Sequence, residues 1–168
     1  MTKFIERQKE FRGEFLKRRK NKIILVLDNF RSATHVAQVF KIAYAIGVDK
    51  VYLVGTTPKP PFGKELSSMS DGAEGKLDVR ESASTKKLVQ QHSEKGFATL
   101  AMAMTKETQI IENLDLDSDV LLVMTDQNQN LSKEIMKECG YLVATSKFRK
   151  YTDAGIINDL AIVLYHLK

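Results

Sequence analysis

The side chains able to do chemistry in this sequence gather in a few short polar stretches. Asp28, Asn29, Arg31 and Ser32 stand directly after the apolar run 23–27. Thr125-Asp126-Gln127-Asn128-Gln129-Asn130 stands directly after another apolar run, 120–124. A guanidinium such as Arg31 suits a phosphate, while amides and hydroxyls orient a ligand by hydrogen bonds. The N-terminal residues 1–20 carry a different signal. Lys3, Arg7, Lys9, Arg12, Lys17, Arg18, Arg19 and Lys20 face only Glu6, Glu10 and Glu14, an excess equal to the whole net charge of +5. A basic segment beside a neutral domain points to a polyanion, with RNA the leading candidate.

Other chemistries are poorly supported. Cys139 is the single cysteine, so no internal disulfide forms and a cysteine-based zinc site is not expected. It reads as a structural thiol, and no metal is expected. Neither a dinucleotide fingerprint nor a P-loop is present. No run approaches the roughly 18 apolar residues that span a bilayer. The start lacks the apolar core of a signal peptide, and its glutamates argue against a transit peptide. The expectation is a cytoplasmic protein with no membrane contact.

The elements that must position these residues follow from periodicity. Residues 3–19 read as a basic amphipathic helix with Phe4, Phe11 and Phe15 near one stripe, which needs a cover. Residues 23–27 (IILVL) read as a strand buried on both faces. A helix over 34–46, capped by Thr34 and ended by Gly47, leads to a strand at 51–54. Residues 55–75 read as a long irregular stretch. Helices near 85–95, 132–139 and 154–166 then alternate with strands at 97–102, 120–124 and 141–145. Such alternation predicts an α/β fold, a mostly parallel sheet flanked by helices. Ligands of these folds sit at the carboxyl ends of strands, here the loops 28–34, 103–106, 125–130 and 146–153. Two units are expected: a basic helix at 1–20 and an α/β domain at 21–168.

The segment LDNFRSATHVAQVFKIAYAIGVDKVYLVG resembles the first motif of the SpoU-like (TrmH-type) RNA methyltransferases of the SPOUT superfamily. Asp28, Asn29, Arg31, Ser32, Ala43, Gly47, Val48 and Gly55 match it. The stretches 57–61 (TPKPP) and 72–74 (GAE) resemble a loop of one bacterial branch. LLVMTDQNQNLS holds the place of the second motif, and the last helix, ending LAIVLYHL, that of the third. The resemblance covers about residues 20–168. It implies a SPOUT-type α/β knot (a C-terminal trefoil knot), a homodimer, and S-adenosylmethionine as methyl donor. The product it implies is a 2′-O-methylated ribose in tRNA or rRNA.

Carried over position by position, the resemblance gives roles and departures. Lys41 replaces the first-motif arginine, the family's base or hydroxyl-positioning residue, and His35 replaces an asparagine. Both become candidates to handle the hydroxyl proton, with Arg31 on an RNA phosphate. Met102, Thr125, Gln127, Asn130, Val143 and Ala154 stand where the donor is held. Arg12, Lys17, Arg18, Arg19 and Lys20 join Arg31 as candidate RNA contacts. The second motif has lost its three glycines, Gln127 replaces its glutamate, and the Thr125 side chain would sit where adenosine lies. In the third, 153–157 lacks the usual serine and asparagine. Three readings remain open at this point: an active methyltransferase, a catalytically inactive RNA-binding homologue, and a dimeric interaction module.

Overall fold

A computed structural model of the chain describes residues 2–18, 21–127, 129–147 and 155–168. Helix α1 (Thr2–Arg18) comes first. There follow β1 (Ile23–Asp28), α2 (Ala33–Ile46), β2 (Lys50–Val54) and α3 (Lys64–Met69). Next are β3 (Val79–Ser82), α4 (Thr85–Glu94), β4 (Ala98–Met102) and β5 (Gln109–Ile110). The chain closes with β6 (Val120–Thr125), α5 (Lys133–Glu138), β7 (Tyr141–Ala144) and α6 (Ile156–Leu167).

The strands form one seven-stranded sheet in the order β3-β2-β1-β6-β4-β7-β5. Every pairing is parallel, in register such as Leu27 with Leu53 and Leu27 with Met124. β1 and β6 are buried at all their positions, as expected of central strands covered on both faces. One core gathers α2, α3 and α6 on one face, around Phe30, Phe40, Leu53, Leu122 and Leu160. The second, smaller core holds α4 and α5 on the other, around Val26, Leu88, Leu121 and Val123. The strand order turns back between β1 and β6, where parallel sheets open a crevice at their carboxyl ends.

Several sequence expectations change in detail. α2 is capped by Ser32, not Thr34: the Ser32 hydroxyl accepts the His35 backbone N–H at 3.2 Å, and Thr34 already lies inside the helix. Gly47 closes α2 with φ +84°, the left-handed turn glycine adopts freely. The stretch 55–75 contains α3 and a 3-10 turn over Ala73–Gly75, because Leu66 and Ala73 reach the core. β3 and β5 were not read from the sequence. They are short edge-side strands whose residues are mostly exposed or half-buried, so hydrophobic periodicity is weak there. The phenylalanine stripe is uncovered at Phe4 and Phe11, 68% and 56% exposed; the Phe15 side chain lies outside the description. Among the described residues no helix is long and apolar enough to cross a membrane.

Candidate active site

The carboxyl ends of β1 and β2 are locked together before any ligand is considered. Asn29 takes the left-handed region (φ 55°) and its Oδ1 accepts the Thr56 N–H at 3.1 Å. Gly55, also left-handed at φ 64°, leaves the space this carboxamide occupies. The buried Thr57 hydroxyl accepts the Phe30 N–H at 3.0 Å and lies 2.9 Å from the Leu27 carbonyl oxygen. The buried carboxylate of Asp28 accepts the Thr85 hydroxyl at the start of α4 and the Asn29 amide. These bonds hold the 28–32 loop in one shape.

Asp126, 6% exposed just after β6, is the centre of the arrangement. Its Oδ2 accepts the backbone N–H groups of Arg31 and Ser32, each at 2.9 Å. Its Oδ1 accepts the Gln127 N–H at 2.8 Å and pairs with His35 Nδ1. Burial pushes the Asp126 carboxyl upward. His35 and the three backbone N–H donors outweigh that and hold it below its usual range. The loop after β1 and the loop after β6 are thereby fastened to one carboxylate.

Beside this junction lies a cavity of about 740 Å³ at the carboxyl ends of β4, β6 and β7. Met102, Thr125, Gln127, Asn130 and Val143 all line it, so five of the six donor positions inferred from sequence meet at one hollow. The sixth, Ala154, lies outside the described residues. The Thr125 hydroxyl donates to the Asp28 carbonyl at 2.8 Å, which joins β6 to β1 where Thr125 lines the cavity. A β-carbon added at Gly155 would stand 3.8 Å from Gln127 Oε1, so the start of the last helix sits against the second-motif loop.

Among the lining residues that sequence reasoning did not single out as site residues are Asp126, Thr145 and Asp159. The Thr145 hydroxyl donates to Asp159 Oδ1 at 2.8 Å, and Lys147 pairs with the same oxygen. Asp126 had one readable signal, an acidic residue directly after a strand whose run 120–124 is apolar throughout. Asp159 had none, because only the packing of α6 brings it beside β7.

The remaining candidates divide. Arg31 lines a second hollow of about 360 Å³ that shares Thr125, Gln129 and Asn130 with the first. His35 is half-buried, its side chain 28% exposed. Lys41 is set apart from the cavity: it is exposed on α2 and pairs with Asp71 Oδ2 at 2.6 Å. Arg12 is exposed on α1, while the Lys17 and Arg18 side chains, with Arg19 and Lys20, lie outside the description. Among the described residues no group of acidic, histidine or cysteine side chains could hold a metal ion.

Comparison with known proteins now gives this geometry its context. The structure is similar to an rRNA methyltransferase from Sinorhizobium meliloti (TM-score 0.75, 20% identity, 87% of this chain and 55% of that one). It is similar to the A. aeolicus TrmH/SpoU tRNA modifying enzyme (TM-score 0.77, 17% identity, 92% of this chain and 81% of that one). It also resembles the SpoU methyltransferase AviRb from Streptomyces viridochromogenes in complex with the cofactor AdoMet (TM-score 0.75, 16% identity, 89% of this chain and 60% of that one). The chain thus spans little more than half the length of the first and third. No curated protein matches the sequence significantly. The family model described as the SpoU rRNA Methylase family matches residues 22–151, over three quarters of the chain and all of the loops that meet at Asp126. This chain belongs to the SpoU rRNA Methylase family.

Proposed function

We propose that this protein is an RNA ribose 2′-O-methyltransferase using S-adenosylmethionine. The observation that carries the reading is the convergence of Met102, Thr125, Gln127, Asn130 and Val143 on one cavity at the carboxyl edge of the sheet. The cavity suits the donor. Its volume, about 740 Å³, falls within the roughly 300–1,000 Å³ of small-molecule sites. Apolar walls at Met102, Val143 and Ile156 suit the base of the donor. When bound, S-adenosylmethionine supplies a methyl group activated by a positively charged sulfur.

The chain's own residues have defined tasks in this reading. Arg31, whose guanidinium is exposed, binds an RNA phosphate. His35 is held at Nδ1 by Asp126, which leaves Nε2 to take the ribose hydroxyl proton. Lys41 aids that step, and the basic α1 with Arg12, Lys17, Arg18, Arg19 and Lys20 adds phosphate contacts. The working unit is a homodimer. Ile162, Tyr165 and Tyr44, 47%, 69% and 49% exposed on α6 and α2, support this as apolar surface needing a cover. The family's C-terminal trefoil knot belongs to the proposal, as does a cytoplasmic site of action.

Titration calorimetry with S-adenosylmethionine and S-adenosylhomocysteine tests the donor site, and radiolabelled methyl transfer to total tRNA and rRNA tests the reaction. Micromolar donor binding with label in RNA ribose is the expected result. A second reading, an inactive RNA-binding homologue, is favoured by Gln127 in place of the family glutamate. RNA binding without donor binding would select it.

A further inference from the structure

The 740 Å³ cavity is the middle of a longer groove. At one end it continues into the hollow on which Arg31 stands, through the shared Thr125, Gln129 and Asn130. At the other it shares Thr105, Lys133 and Met136 with a hollow of about 370 Å³. Lys106, Lys133 and Lys137 ring this last hollow, over a floor of Met136 and Leu142, and Glu107 is the one carboxylate among its lining residues.

The charges along the groove are unequally committed. The carboxylates of its middle and of the Arg31 end are engaged: Asp126 with His35 and three backbone N–H groups, Asp159 with Lys147, and Asp28 beside Arg31 with Thr85 and Asn29. The Arg31, Lys106, Lys133 and Lys137 side chains are exposed and engage no partner among the described residues. Other lysines differ among themselves: Lys41 pairs with Asp71 and Lys86 with Glu134, while Lys59, Lys64, Lys87 and Lys95 are exposed and lie apart from the three hollows. A groove with free cations at both ends and spent carboxylates between fits a ligand bearing anions at intervals.

We infer that this groove is the track of a single RNA strand, its phosphates gripped by Arg31 at one end and by Lys106, Lys133 and Lys137 at the other. The inference rests on the methyl-transfer reading for the nature of the ligand. The strand crosses the mouth of the donor cavity, so the ribose between the two grips faces it. An unpaired strand is favoured, because a recessed pocket takes a splayed nucleotide more readily than a 2′-hydroxyl set in the shallow minor groove of a rigid A-form duplex. Backbone contacts of this kind carry affinity and register with little sequence preference. The track is separate from α1, which borders a different hollow with Ala45, Ile46 and Tyr165.

The test is fluorescence anisotropy of a short labelled single-stranded RNA with the full chain, against salt, for the parent and for Lys106→Ala/Lys137→Ala. Loss of two phosphate contacts lowers the slope of log affinity against log salt by about 1.4. Affinity is expected to fall roughly tenfold. The Lys106→Arg/Lys137→Arg pair retains binding, Glu107→Gln strengthens it, and the same RNA as a duplex binds more weakly than the single strand. Thermal unfolding shows whether each variant is folded. An unchanged affinity and slope in a folded alanine pair overturns the track and leaves the methyl-transfer reading standing. No RNA binding by the parent overturns both. Displacement of RNA by inorganic phosphate, but not by chloride of equal ionic strength, would mark a small-anion pocket and also overturn the strand.

Discussion

His35 Nδ1 and Asp126 Oδ1 are hydrogen-bonded across 91 positions of the chain, one in the first turn of α2 and the other directly after β6. The same carboxylate accepts the N–H groups of Arg31 and Ser32, so this pair joins the two loops that the methyl-transfer reading requires to act together. Replacing His35 with asparagine should keep the fold and lower methyl transfer by about 10²-fold or more, the usual contribution of a proton acceptor. A variant as active as the parent would remove His35 from the chemistry.

Asp126 makes a pH-dependent contribution to stability. Its folded carboxyl is held below the unfolded value, so the folded protein binds the proton less readily than the unfolded chain. The stabilisation is therefore complete above the unfolded value of about 3.9 and is lost as pH falls through the folded one. Asp126→Asn should cost about 1–3 kcal/mol at neutral pH, since it weakens several charge-assisted bonds to a buried group. Denaturant titrations at pH 7 and near pH 3 should show the gap between parent and variant closing in acid.

Lys41 offers a contrast. Its ion pair with Asp71 joins side chains 48% and 73% exposed, so Lys41→Ala should change stability by less than about 1 kcal/mol. Any large fall in methyl transfer by this variant would then be a functional effect. It would also place Lys41 at a site the single chain does not assemble by itself.

Gly55→Ala should be among the more damaging small substitutions. Its β-carbon would stand 2.0 Å from Asn29 Oδ1 on a backbone at φ 64°. Asn29 cannot swing away without giving up the Thr56 N–H. A loss of about 1–3 kcal/mol is expected from thermal or denaturant unfolding. Wild-type stability would mean the 28–32 loop is softer than its hydrogen bonds suggest.

Cys139 should be chemically quiet. Burial, with Glu138 adding to it, pushes its thiol up to about 12. Iodoacetamide at pH 8 should leave the folded protein unlabelled and label it promptly in denaturant.

Light scattering tests the dimer. Tyr165→Glu with Ile162→Glu places two charges on exposed apolar positions of α6 and should leave a folded monomer at micromolar concentration. A parent already monomeric would end the homodimer proposal.

By itself the sequence determined the α/β layering. The runs 23–27 and 120–124 are apolar at every position, which only a strand covered on both faces can use, and α2 follows from helical spacing and its terminal glycine. Motif order also picked out six candidate donor positions, five of which line one cavity. Tertiary structure alone decided what those positions do. Thr125 turns its hydroxyl to the Asp28 carbonyl because β6 pairs with β1, a neighbour almost a hundred residues away. Asp126 gathers His35, Arg31 and Ser32 for the same reason, and Asp159 reaches the cavity only because α6 packs back over the sheet. Local periodicity reports which face of an element is buried; it contains no term for which distant loop the end of a strand will meet.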